Sequence, residues 1–177
     1  VVGITAFATD DDATTNTISY SLDDNAGGRF AIDTNTGVIT VADGSLLDRE
    51  AAASHNITVR ATSADGSFNT VGFTINVLPI NDNTPVITSD GGGTNAAVSA
   101  AENTTAVTTV TATDADLPAE TLTFSIVGGA DAAKFTIDTN TGALSFVSAP
   151  DYESPTDVGG DNVYDVTVQV TDGTYTD

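Results

Sequence analysis

The 177-residue chain has no cysteine, no methionine and no tryptophan, one histidine and only four Lys+Arg residues. Without cysteine there are no disulfides, thiolate metal sites or cysteine nucleophiles. Against those four bases stand twenty-five Asp+Glu residues, a formal charge of −21, which argues against nucleic acid or an anionic membrane surface as partner. No apolar run approaches the roughly eighteen residues that a membrane span requires, so no membrane insertion is expected, and none of these residues reads as a signal peptide. A sequence with no methionine lacks its own start and reads as an excised or processed segment. Excess acid spread evenly would raise solubility, the halophile's solution, whereas acids gathered at a few points call for cations.

What is present is present twice. Ile32-Asp33-Thr34-Asn35-Thr36-Gly37 returns unchanged as Ile137-Asp138-Thr139-Asn140-Thr141-Gly142, an offset of 105 residues. Ala8-Thr9-Asp10-Asp11-Asp12 answers to Ala112-Thr113-Asp114-Ala115-Asp116 at an offset of 104. A period near one hundred residues is the size of a whole small domain rather than of a solenoid turn, so the chain reads as part of a tandem array.

Short runs alternate apolar and polar residues, among them Thr17–Leu22, Asn56–Ala61, Val71–Val77, Leu122–Ile126 and Val166–Val170. This period of two puts one face into a core and the other into water. Turn residues separate the runs at sandwich-like spacing, and no segment has a convincing helical period. The expected fold is all-β, two tandem Greek-key β-sandwiches. Residues 1–79 form the first, 80–85 the link and 86–177 the second. Ile-Asp-Thr-Asn-Thr-Gly is itself read as a tight hairpin, because Asp, Asn and Gly favour turns through local hydrogen bonds and positive φ.

The acids collect at strand ends and in the link. Asp114 and Asp116, at i and i+2, leave a strand run on one face. Asp48 and Glu50 repeat that spacing, Asp172 follows the run Val166–Val170, and Ile80-Asn81-Asp82-Asn83-Thr84-Pro85 joins the two halves. Calcium takes six to eight oxygen ligands, which carboxylates, Asn amides and carbonyls supply. A link coordinating shared metals would become a stiff joint. Arg49 is expected to pair with a neighbouring acid. His55 stands without a second His or a nucleophile beside it and reads as structural. No triad, Gly-rich phosphate loop or zinc spacing occurs. Paired carboxylates can hydrolyse glycosides, but a chain without Trp supplies a sugar cleft poorly. An enzyme is not expected.

At these residues the chain resembles the cadherin repeat. That family links its repeats with Asp-x-Asn-Asp-Asn-x-Pro and pairs the link with Asp-Arg-Glu, Asp-x-Asp and a late Ala-x-Asp-x-Gly. The counterparts here are Pro79–Pro85, Asp48-Arg49-Glu50, the pairs Asp10/Asp12 and Asp114/Asp116, and Val170-Thr171-Asp172-Gly173, with a blurred Ala61–Gly66 in unit one. Glu102 looks like the family's first-strand glutamate. Unit two has Asp151-Tyr152-Glu153 in place of Asp-Arg-Glu, a form similar to the cadherin-like repeats of large bacterial or archaeal surface adhesins.

The resemblance implies an immunoglobulin-like, cadherin-type sandwich in each unit, each short of one terminal strand: the first in unit one, and in unit two the counterpart of Phe68–Leu78. It also implies calcium at the junction. The ion nearest unit two would draw on Asn81, the Asn83 carbonyl, Asp114, Asp116 and Asp172. A middle ion would use Glu50, Asp82 and Asp116, and the ion nearest unit one Asp48, Glu50 and Asp82. Pro79 stands where the family's link has its first Asp, which weakens the middle position, so the unit-two ion is expected to bind best. Asp10, Asp12 and Asp65, and in unit two Glu102, Asp151 and Glu153, would belong to incomplete outer sites. Affinity of about 10⁻⁴–10⁻³ M suits an extracellular module.

The function implied is a calcium-rigidified extender or adhesive element at the cell surface or in a secreted fibre. Its partners would be neighbouring repeats of the same long chain and a homophilic, protein or polysaccharide surface ligand. The alternative is a calcium-dependent carbohydrate-binding module, which would need an exposed platform built from Tyr20, Tyr152, Tyr164 and Tyr175.

Overall fold

The computed structural model describes residues 2–11 and 17–177; Asp12, one of the expected outer-site carboxylates, lies outside them. The chain divides into two compact units, Val1–Ile80 and Asn81–Asp177, so that the link from Asn81 onward groups with the second. Among the described residues no helix is long and apolar enough to cross a membrane.

The described strands of the first unit are β1 (Ile18–Asp24), β2 (Phe30–Ile32), β3 (Ile39–Val41), β4 (Ser54–Ser63) and β5 (Phe68–Asn76). One antiparallel sheet runs β1-β4-β5, and β2 and β3 form a hairpin in the other layer. Residues 2–6 extend that second layer along β3. The amide of Val2 donates to the Ile39 carbonyl (3.1 Å), that of Ile39 to Ile4 (3.1 Å) and that of Ala6 to Gly37 (2.9 Å). Alternation dictates what faces inward. Tyr20, Phe30, Ile39, Ile57, Val59 and Ile75 are buried together between the layers, each large apolar side chain contributing about 1.5–3 kcal/mol. His55 tilts its ring against Phe30 (6.2 Å), a packing role.

The second unit comprises β6 (Val86–Ile87), β7 (Ala106–Thr109), β8 (Ala112–Thr113), β9 (Thr123–Gly128), β10 (Phe135–Ile137), β11 (Ala143–Phe146) and β12 (Thr167–Thr171). Its sheets run β10-β11-β7, β12-β9 and β6-β8. Val110, Phe124 and Val170 form one core cluster. Phe135, Leu144 and Phe146 form another, with Tyr164 edge-on to Phe146 at 5.1 Å. The expected gap after β12 is partly filled. Residues beyond Asp172 turn back, the amides of Val170 and Asp177 donate to each other's carbonyls (2.9 and 3.1 Å), and Asp177 Oδ2 accepts from the Ile87 amide (2.6 Å). Among the described residues, the first unit has no counterpart of β6.

The repeated hexapeptide builds the same turn in both units. Asp33 Oδ1 accepts from the amides of Asn35 (3.0 Å) and Thr36 (2.8 Å), and Asp138 Oδ1 from Asn140 (3.0 Å) and Thr141 (2.8 Å). These amides hold both carboxyls below the usual carboxylate range, Thr36 and Thr141 contributing most. Gly37 (φ 69°) and Gly142 (φ 70°) then take the left-handed conformation. A Cβ on Gly37 would lie 2.5 Å from the Ala6 carbonyl oxygen, and one on Gly142 2.1 Å from that of Val110. Glycine is therefore demanded twice, by φ and by the backbone passing over it.

Candidate metal centre in the second unit

Strand ends position the acids. Asp114 and Asp116 follow the end of β8, Asp172 follows the end of β12, and the neighbouring link residues 81–84 are fixed downstream by the fully buried Pro85. Asp114, Asp116 and Asp172 each offer a carboxylate oxygen within 4.8 Å of the others. Asp116 is only 2% exposed. Its Oδ1 accepts from Asn83 Nδ2 (2.7 Å), its Oδ2 from the Asn83 amide (3.2 Å), and the Asp82 amide lies 3.5 Å from Oδ1. The Asp116 amide in turn donates to Asp114 Oδ1 (3.0 Å). The Asn83 side chain, ahead of these amides, holds the Asp116 carboxyl below the usual range despite its burial. At Asp172 burial disfavours charge, but the amides of Tyr175 and Thr174, each 2.6 Å from Oδ1, outweigh it and keep the carboxyl low.

Three acceptors here have nothing to accept from. Asn81 Oδ1, Asp114 Oδ2 and Asp172 Oδ2 are fully buried with no hydrogen-bond partner. Buried acceptors are normally satisfied, and a set made wholly of oxygens is of the kind that suits a hard cation. Of the residues expected to hold the ion nearest unit two, Asp114, Asp116 and Asp172 bring their carboxylate oxygens to one point, and that donor chemistry fits calcium.

Glu120 escaped the sequence reading. It accepts a hydrogen bond from Asn81 Nδ2. Burial, and then the charges of Asp172, Asp116 and Asp114, push its carboxyl above the usual range. It lies in the segment between β8 and β9, outside every acidic motif, so no local pattern marks it.

The remaining acids divide by unit. In the second, Glu102, Asp151 and Glu153 also bring carboxylate oxygens within 4.8 Å of one another, but all three are exposed. Glu102 Oε2 accepts from the Tyr152 amide (3.1 Å) and Asp151 Oδ1 from the Glu153 amide (3.1 Å), local turn bonds in part. Asp82 is exposed and Asn83 half-buried. In the first unit, Asp48 Oδ1 caps its own turn, accepting from the amides of Glu50 (2.9 Å) and Ala51 (3.0 Å); Glu50 is half-buried. Arg49 does not pair with an acid as expected. It donates to the Val77 carbonyl (3.0 Å) and lies 3.4 Å from that of Ala53, because the turn aims it along the backbone of its own unit. Asp10 is half-buried. Asp65 is exposed and accepts from the Ser67 amide (2.8 Å), a turn role.

Comparison with known proteins gives the same answer at both levels of sequence and fold. Residues 2–78 and 95–177 match the family described as "Cadherin domain". Mouse "Cadherin-related family member 2" is 36% identical over 141 residues, 77% of this chain and 10% of that protein. Human "Protocadherin Fat 4" is 36% identical over 171 residues, 93% of this chain and 3% of that protein. The crystal structure of mouse cadherin-23 EC22-24 superposes with a TM-score of 0.76 at 30% identity, covering 96% of this chain and 52% of that one. The chain thus spans a tenth or less of the length of these two curated relatives.

Proposed function

As the chain belongs to the cadherin family, we propose that it is a pair of calcium-binding repeats from an extracellular adhesion protein, whose link segment loses its freedom when the ion binds. The observation that carries this reading is the group of unpartnered buried oxygens on Asn81, Asp114 and Asp172 beside the buried carboxylate of Asp116. Bound there, calcium supplies positive charge to four oxygen-bearing side chains at once. Asp116 and Asn83 do the rest. Already hydrogen-bonded to each other, they tie the link to the end of β8, so the ion has a site assembled in advance.

The unit-two ion is taken to bind best, and the acids of unit one, with Asp82, to contribute to weaker positions. The partners proposed are neighbouring repeats of the parent chain and a surface ligand on a cell. The likeness to bacterial or archaeal adhesin repeats drawn from Asp151-Tyr152-Glu153 is not supported by the relatives named above, which are animal proteins. The carbohydrate-binding alternative is not favoured by the tyrosines it needs. Tyr20 is buried, its hydroxyl accepting from the Ala8 amide (3.1 Å), and Tyr164 packs on Phe135 and Phe146.

The test is the melting temperature in chelator, in millimolar CaCl₂ and in MgCl₂. Binding to the folded state alone raises stability by about 1.4–2.7 kcal/mol at tenfold to hundredfold excess over Kd. A rise with calcium and little with magnesium is expected. No rise with calcium overturns the reading.

A further inference from the structure

We propose that Glu120 is a fourth acidic member of the second-unit cation site, raising its affinity through its negative charge and its hold on Asn81. The proposal rests on the calcium reading above and adds to it a residue that the link motif does not contain.

Glu120 stands four residues beyond Asp116 and is half-buried, although it lies in an irregular segment. Its carboxylate accepts from Asn81 Nδ2. An ionised carboxylate can only accept, so the amide nitrogen of Asn81 is turned toward Glu120 and its Oδ1 is left without a partner. Asp172, Asp116 and Asp114 all act electrostatically on Glu120, which places it in the field of the cluster rather than on a separate face. The half of the chain from Asn81 onward contains one Lys or Arg, Lys134, in the short turn just before β10. A cation bound among these carboxylates would offset their charge, which no other side chain of this half does. Calcium affinity in oxygen sites is tuned by the count of charged ligands and by the rigidity of the site. Glu120 contributes to both.

The test compares the wild type, Glu120→Gln and Glu120→Asp by ¹H–¹⁵N titration of the whole chain with CaCl₂. The amides of Thr174 and Tyr175 serve as reporters because they bond Asp172 directly. Glu120→Gln keeps the shape and an acceptor for Asn81 while removing the charge. It is expected to weaken binding about tenfold, the lower end for groups supporting a metal's ligands. Glu120→Asp, which keeps the charge, is expected to bind more tightly than Glu120→Gln. In chelator, Glu120→Gln should melt at or above the wild-type temperature, since one repelling charge is gone. Wild-type affinity in Glu120→Gln, or no advantage of Asp over Gln, overturns the proposal. If CaCl₂ leaves the wild-type reporters unmoved, the calcium reading fails first, and that outcome is distinct from a failure confined to Glu120.

Discussion

Asn83 Nδ2 lies 2.7 Å from Asp116 Oδ1, so a link residue is bonded to the most buried carboxylate among the described residues. The bond fixes where the link runs and keeps Asp116 charged within a cluster of like charges. A cation bound there, as proposed, would meet an ionised carboxylate whose position is already set.

Asp116→Ala removes both the anchor and the ligand. Calcium binding, read at the Thr174 and Tyr175 amides, is expected to weaken by at least about tenfold, as loss of a metal-site group does. Wild-type affinity in this variant would remove Asp116 from the site.

Gly142→Ala places a methyl group 2.1 Å from the Val110 carbonyl oxygen at a φ of 70°. The left-handed conformation alone costs a non-glycine residue about 1–3 kcal/mol, and the clash adds to it. Urea unfolding should show a clear loss in the second unit. Gly37→Ala, with its contact at 2.5 Å, should do the same in the first. A neutral result would mean that the overlying backbone moves aside freely.

Ile39 has no exposed surface and sits on β3 where the two layers of the first unit meet. Ile39→Ala is expected to cost about 2–5 kcal/mol through lost burial and the cavity left behind. Chemical denaturation of this variant, followed by probes in the first unit, measures it.

Asp157 supplies the pH dependence. Burial opposes its charge, but amides of Asp161, Asn162, its own residue and Gly160 hold its carboxyl below the usual range. Its folded value is depressed, so its contribution is fully present above the unfolded carboxylate value of about 3.9. That contribution is lost as the pH falls through the lower, folded value. Melting temperatures of wild type and Asp157→Asn in chelator should differ most near neutrality and converge below about pH 4. A constant difference across that range would show that the carboxylate's charge is not what stabilises the loop.

Much of this was legible because the relevant signals are local. The alternation of Asn56–Ala61 became the central strand β4, with Ile57 and Val59 inside. Ile32–Gly37 became a turn because Asp33 bonds amides two and three residues on. Asp114, Asp116 and Asp172 were drawn together from motifs at strand ends, and the structure brings their carboxylate oxygens within 4.8 Å of one another. What escaped depends on distant partners. Glu120 has no periodicity or motif, and only the fold carries it to Asn81, 39 residues away. Arg49 was expected beside an acid, yet the carbonyl that binds it belongs to Val77, 28 residues on. The two-residue pairing of β6 with β8 is too short to leave a pattern.

The duplicated hairpin has a kinetic consequence. Asp33 and Asp138 close their turns using amides no more than three residues away, and the flanking strands pair at once with their immediate neighbours. Contacts so close in sequence form early, because little chain has to be searched to make them. Each repeat consequently brings its own starting point for folding. A long tandem polypeptide emerging from the ribosome can then mature one repeat at a time, with no need to wait for the rest of the array to be synthesised.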